Sequence, residues 1–189
     1  MTITAAILEA TLAKLGFKFF TEGDYNLNII GIRNSSTGAK VTNAFDDYIA
    51  VAYKVAGVWG VKVWPCTVDN GGGTARVVAG QYKGSHAIGL HQGKYEALRQ
   101  VGPLVVERDY TKDGVYNASK KETGVFGINI HKAGADSTLV NNWSEGCQVF
   151  KRSADFNQFM IIAKKAATLH GNRFTYTLLE SKDLVSVKA

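Results

Sequence analysis

The chain has 189 residues, of which 46% are hydrophobic and 20% are charged. This length and balance suit one folded domain over residues 1–189, with residues 1–22 as a helical segment packed on it, and exclude disordered, coiled-coil and collagen-like chains. The 22 lysines and arginines outnumber the 16 aspartates and glutamates, for a formal net charge of +6. Because these charges are scattered, they indicate a solvated basic surface and no nucleic-acid partner.

Two segments are predicted as helices. The first covers residues 4–15, where apolar residues line one face, Thr4 is the expected N-cap and Gly16 follows the last turn. The second begins at its expected N-cap, Ser153, and ends at Gly171.

Strand-forming residues dominate the rest of the chain, which also holds 20 glycines for tight turns. The predicted β segments are 27–33, a hairpin over 48–68, a β-rich region over 76–91, 104–108, 125–131, 147–150 and 173–179. The segments between them are predicted as a helical turn at 95–100 and loops at 69–73, 109–123 and 132–143. The expected fold is therefore an α+β, strand-dominated single domain, sandwich-like or barrel-like, with an N-terminal helix and one helix after Cys147.

Two features of the chain bear on where it is made. No run of about 18 apolar residues occurs, so no membrane span is expected. The first ten residues lack the basic start of a secretory signal, and Glu9 interrupts their apolar stretch. We therefore expect synthesis in a cytoplasm and export, if any, by another route.

The segment from residue 125 to 150 has the strongest functional signal. Phe126, Ile128 and Ile130 alternate with Gly127, Asn129 and His131, which places His131 on the non-core face at the end of one strand. Cys147 begins the next predicted strand, 147–150, which follows the predicted loop 132–143.

A cysteine and a histidine at neighbouring strand ends suit nucleophilic catalysis. The free thiol, with a pKa near about 8.5, is a poor nucleophile at neutral pH, and a nearby imidazole can take its proton and later return it to a leaving amine. Gly146 permits an unusual backbone angle beside Cys147, so the N–H groups of both residues are candidate oxyanion donors. On spacing alone, a buried cysteine that acts as a small apolar residue remains an alternative.

The segments GINIH (127–131) and SEGCQ (144–148) resemble the motifs of the L,D-transpeptidase catalytic-domain family. The resemblance implies a β-rich fold and a cysteine that forms a thioester with a peptidoglycan stem peptide. It assigns Cys147 as the nucleophile and His131 as the base, and Ser144 and Gly146 as the residues that shape the oxyanion loop. The family has a histidine where Glu145 stands here.

Further segments, near residues 28–33, 43–47, 89–100 and 108–109, are similar to uncharacterised phage-encoded members of that family. We expect a single catalytic domain that is monomeric and has no cofactor or metal. Because no secretory signal is seen, a phage endolysin or an injected effector that hydrolyses stem-peptide amide bonds is favoured over a resident cross-linking enzyme. Such a protein is made in the bacterial cytoplasm and acts on peptidoglycan in the periplasm or cell wall. The residues expected to contact the substrate are His91, Asn129, Trp143, Glu145 and Gln148.

Three other functions fit parts of the sequence. His86 and His91, with Asp109 or Asp113, could hold the zinc ion of a peptidoglycan peptidase. The acidic residues near Asp46 and near Asp109 could serve a muramidase. A non-catalytic wall-binding or virion protein could keep the same fold.

Overall fold

The computed structural model describes residues 2–69, 74–116 and 120–186. The strands, in chain order, are β1 (Asn28–Arg33), β2 (Asp47–Val55), β3 (Val58–Thr67), β4 (Ala75–Val77), β5 (Gly80–His91), β6 (Tyr95–Gln100), β7 (Leu104–Arg108), β8 (Lys121–Gly124), β9 (Ile130–Lys132), β10 (Gln148–Phe150) and β11 (Phe174–Glu180). The helices are α1 (Ala5–Lys14) and α2 (Ser153–His170), with short 3-10 turns at Ser35–Thr37, Asn141–Trp143 and Ser181–Asp183.

Eight of these strands form a closed barrel in the order β1-β11-β5-β6-β9-β10-β3-β2, and β4, β7 and β8 form a separate three-stranded sheet. The α+β, strand-dominated class predicted from the sequence is therefore confirmed, with a closed barrel as its architecture. Most neighbouring barrel strands are antiparallel, but two pairs run parallel: β1 with β11, and β9 with β10, where Gln148 lies opposite Ile130. Because parallel strands start at the same edge, the residues that precede β9 and β10 lie side by side.

Both faces of β1 and of the middle of β2, residues 49–53, are buried. On one face, Ile29 and Ile49 join a core cluster to which α2 contributes Phe156 and Phe159. On the other face, α1 covers these strands with residues such as Leu8. A strand covered on both sides has apolar side chains on both faces, which explains why Ile29, Ile30 and Ile32 follow one another so closely in β1.

The helix ends follow the sequence signals at three of four positions. Thr4 accepts a hydrogen bond from Ile7 N at 3.3 Å, and Gly16 and Gly171 adopt φ angles of +73° and +87° beyond the two helices. The expected cap at Ser153 is wrong: the N-cap is the residue before it, and the Ser153 hydroxyl donates to Gly134 O at 2.7 Å. Within residues 2–69, 74–116 and 120–186, no helix is long and apolar enough to cross a bilayer.

Three predicted segments need correction. Residues 95–100 form β6 and not a helical turn, because every one of them pairs with a residue of β5, in the stretch 86–91. The predicted strand 125–131 becomes regular only at Ile130, since Gly127 has a φ of +77°. The predicted loop 109–123 contains the start of β8, which pairs with β7. Residues 70–73 and 117–119, in two predicted loops, lie outside the described residues. The other predicted strands, including the hairpin, are confirmed.

Candidate active site

The parallel pair of β9 and β10 positions Cys147, which directly precedes β10. Gln148 N donates to Asn129 O at 2.9 Å, which ties the two strand starts together. The Asn129 N–H donates to Cys147 Sγ at 3.4 Å, and the thiol lies 3.6 Å from Gly127 O, its acceptor. Cys147 is half-buried, and it does not pair with Cys66, whose thiol is free in the core.

Burial is the main cause that raises the pKa of the Cys147 thiol. The nearby Glu145 carboxylate raises it further, and the Asn129 N–H opposes both effects. The thiol is therefore protonated at neutral pH, so attack on a carbonyl requires a base that removes its proton.

His131 has the protonation state of such a base. Its Nδ1 lies 2.9 Å from Lys132 O, an acceptor, so Nδ1 carries the proton and Nε2 has the free lone pair. The Tyr95 hydroxyl approaches the same nitrogen at 3.4 Å. Burial lowers the pKa of His131 to about 4, and the ring is therefore neutral at pH 7.

Two cavities meet at Cys147. One, of about 390 Å³, is lined by His131 together with Tyr95 and Trp143. The other, of about 550 Å³, extends toward Arg108 and the β4–β7 sheet. The residues common to both cavities are His91, Gln92, Glu145 and Cys147. Cys147 is therefore accessible from a cleft with two arms, and Glu145 lies where the arms join.

The loop before Cys147 is held by Ser144, which is fully buried. Its hydroxyl accepts the Gly146 N–H at 3.2 Å and lies within 2.9 Å of two acceptors, the carbonyls of Asp69 and Cys147. Gly146 has a φ of +127°, and an added Cβ would lie 3.0 Å from Ala75 O. The Gly146 N–H is thus engaged inside the loop and is not the oxyanion donor expected from the sequence. The Cys147 N–H makes no hydrogen bond in the part of the chain that the structure describes.

Gln148 differs from its expected role as a substrate contact. Its side chain is fully buried, its Nε2 donates to Gly146 O at 3.1 Å, and its Oε1 accepts from the Tyr176 hydroxyl at 2.6 Å. Since residues 147 and 148 lead into an extended strand, their side chains point to opposite sides. Gln148 therefore holds the loop before Cys147 from the core side. Its own partner is Tyr176 in β11, which the sequence did not reveal.

The remaining expected substrate contacts gather around the thiol. The ring of His91 stacks on that of His131, with centroids 4.1 Å apart, and its Nδ1 lies 3.0 Å from Asn129 Nδ2. Trp143 lies at the rim with 45% of its surface exposed, and Glu145 is exposed in the cleft. Tyr95 also belongs to the site; it was missed because its segment was predicted as a helical turn.

Three of the groups that the zinc and muramidase alternatives would use are engaged in other contacts. His86 is enclosed, with its ring nitrogens on Ser85 Oγ and Ile128 O. Among the described residues, no three or more His, Cys, Asp or Glu side chains are grouped to hold a metal ion. Asp47 and Asp109 accept backbone N–H groups and serve as loop anchors.

No family model, curated protein or solved structure matches this chain. A protonated thiol, a neutral imidazole with a free lone pair and a two-armed cleft together suit attack on a carbonyl carbon, followed by transfer of a proton to the leaving group.

Proposed function

We propose that this protein is a cysteine enzyme of the L,D-transpeptidase type that hydrolyses amide bonds in peptidoglycan stem peptides. The observation that carries the proposal is that the Cys147 thiol and His131, with its unprotonated Nε2, line one cavity. The resemblance of residues 127–131 and 144–148 to the motifs of that family supports this substrate class. A closed barrel with one helix after the cysteine is compatible with the β-rich fold of that family.

The proton transfers follow from the neutral resting pair. His131 Nε2 accepts the thiol proton as Sγ bonds to the carbonyl carbon, and the carbonyl π electrons move to oxygen. Collapse of this intermediate breaks the carbon–nitrogen bond, and the amine leaves with the proton held by His131. Water, activated by the same nitrogen, then hydrolyses the thioester and frees the thiol.

The charges along the cleft fit a stem peptide, which is anionic but carries amino groups. Lys94 and Lys132 line one arm, and Arg108 and Lys112 line the other, so carboxylates are favoured on both sides. Glu145, at the junction, can pair with a substrate ammonium group. In a phage endolysin or an injected effector, water is the expected acceptor, and the net charge of +6 favours retention at an anionic envelope.

Mass spectrometry of muropeptides from purified sacculi tests this function. The wild type is expected to release fragments with new amino and carboxyl termini, and Cys147→Ala and His131→Ala are expected to release none above background. Cys66→Ala is the matched control, because Cys66 is a free thiol buried away from the cleft. Its products should equal those of the wild type.

Each contrary outcome identifies a different function. Full activity of Cys147→Ala, lost on addition of a chelator, would indicate a metallopeptidase. New reducing sugar ends would indicate a muramidase. Binding to sacculi with no fragments from the wild type would indicate a wall-binding or virion protein.

A further inference from the structure

Attack on a carbonyl by Cys147 places a negative charge on oxygen, and enzymes stabilise such an oxyanion with at least one fixed donor. The loop before the thiol offers few donors here. The Gly146 N–H is bonded to Ser144 Oγ, and the Asn129 N–H is bonded to the sulfur. The Cys147 N–H makes no hydrogen bond to any residue that the structure describes, which makes it one candidate donor. A second donor would come from outside the loop.

The Asn129 amide fixes the proton on His91. Its Oδ1 accepts the backbone N–H of Gln100 at 2.9 Å, and an N–H donor can face only the oxygen of an amide. The amide NH₂ group is therefore the end that faces His91 Nδ1, at 3.0 Å. Since NH₂ only donates, Nδ1 is the acceptor, and the neutral ring holds its proton on Nε2.

His131 has the opposite tautomer, with its proton on Nδ1, because its Nδ1 faces a carbonyl oxygen. The two rings lie nearly parallel, with 19° between their planes, and both line the cavity that contains Cys147. Across the described ranges, no buried side-chain nitrogen lacks a partner. The Nε2 atoms, which have no hydrogen bond to any described residue, therefore reach the open space of the cleft.

We propose that His91 donates its Nε2–H to the oxyanion of the tetrahedral intermediate formed at Cys147, beside the Cys147 N–H. The proton stays on His91 throughout, while His131 accepts and returns the proton that moves. In the stacked pair, His91 is thus the hydrogen-bond donor and His131 is the base. This inference rests on the proposed function only in requiring that Cys147 attack a carbonyl.

Two reagents separate an oxyanion donor from a structural residue. Iodoacetamide alkylates a thiolate without forming an oxyanion, whereas p-nitrophenyl acetate acylates it through a tetrahedral intermediate. His91→Phe, which keeps an aromatic ring over His131, is expected to slow acylation by at least about tenfold and to leave alkylation within about twofold. His131→Phe is expected to slow both reactions. His170→Phe is the control and is expected to slow neither, because His170 is exposed and lies away from the cleft.

The proposal is overturned if His91→Phe slows both reactions in parallel, which indicates a structural role, or slows neither. A second measurement needs no variant at the site. In ¹⁵N-labelled wild type at neutral pH, long-range proton–nitrogen correlations should show His91 protonated at Nε2 and His131 at Nδ1. A proton on Nδ1 of His91 would refute the assignment. Neither measurement uses peptidoglycan, so a failure of the proposed substrate is distinguishable from a failure of this inference.

Discussion

The position of the loop before Cys147 depends on a close contact at the far side of the barrel. Gly31 in β1 faces Tyr176 in β11, and a Cβ at residue 31 would lie 2.0 Å from the tyrosine hydroxyl oxygen. That hydroxyl donates to Gln148, whose amide in turn holds Gly146 O. Gly31→Ala therefore displaces a fully buried ring and is expected to break this chain of hydrogen bonds.

The expected cost has two parts. Forcing a methyl group into a packed core typically costs about 1–3 kcal/mol, and leaving the buried Gln148 oxygen without its donor costs about 1–3 kcal/mol more. Gly31→Ala should thus lower the free energy of unfolding by about 2–6 kcal/mol. Tyr176→Phe removes only the hydroxyl, so it should cost about 1–3 kcal/mol.

Urea unfolding followed by circular dichroism measures these values, and a double-mutant cycle isolates the contact. In the Tyr176→Phe background the atom nearest to the new methyl group is gone and the hydrogen bond is already lost. Gly31→Ala should therefore cost at least about 1 kcal/mol less there than in the wild type. Gly60→Ala is the matched control, because the nearest atom to a Cβ in that strand position is 3.9 Å away.

Two results would refute this reasoning. If Gly31→Ala is as costly in the Tyr176→Phe background as in the wild type, the hydroxyl is not what the methyl group displaces. If Gly31→Ala lowers the free energy of unfolding no more than Gly60→Ala does, the space between residue 31 in β1 and Tyr176 in β11 can accept a methyl group.

Three further predictions concern the site and its histidines. Glu145→Gln removes a charge that raises the pKa of the Cys147 thiol, so alkylation by iodoacetamide at pH 7 should be faster than in the wild type. An unchanged or slower rate would show that the Glu145 carboxylate does not raise this pKa. In Gly146→Ala the alanine must adopt the φ of +127° that Gly146 has. This backbone strain should lower the free energy of unfolding, measured in urea, by about 1–3 kcal/mol and reduce muropeptide release. Wild-type values of both would show that alanine is not strained at this position. Burial lowers the pKa of His86 and His131 from 6.5 to about 4. At each histidine the unfolded chain therefore binds more protons between pH 7 and pH 5, whereas Asp47, whose pKa burial raises to about 7, has the opposite effect. The free energy of unfolding of His131→Phe should therefore fall by about 2 kcal/mol less from pH 7 to pH 5 than that of the wild type; the same change in both proteins by urea unfolding would contradict the expected effect.

Much of the fold was predictable because its signals are local. The helix that starts after Thr4 and the strand 28–33 depend on residues within a few positions of each other. The hairpin turns at Gly57, which has a φ of +76°. Cys147 and His131 were singled out for the same reason, since each stands at the edge of an extended segment.

The errors arose where distant partners override local pattern. Residues 95–100 have no strand alternation of their own, yet pairing with β5 makes them a strand. Ser153 is a good cap residue, but its hydroxyl is taken by Gly134 O. The Gly146 N–H was expected in the cleft, and Ser144 holds it inside the loop.

The sequence by itself determined the balance of strands and helices, the basic surface and the pairing of a thiol with an imidazole as the candidate chemistry. Only the tertiary structure decided that β9 and β10 are parallel neighbours and that His91 stacks on His131. It alone decided that Gln148 faces the core. The hydrogen bonds that fix Asn129, His91 and Gln148 join residues 28 to 38 positions apart. Local propensity cannot specify such contacts, because they exist only once the barrel has closed.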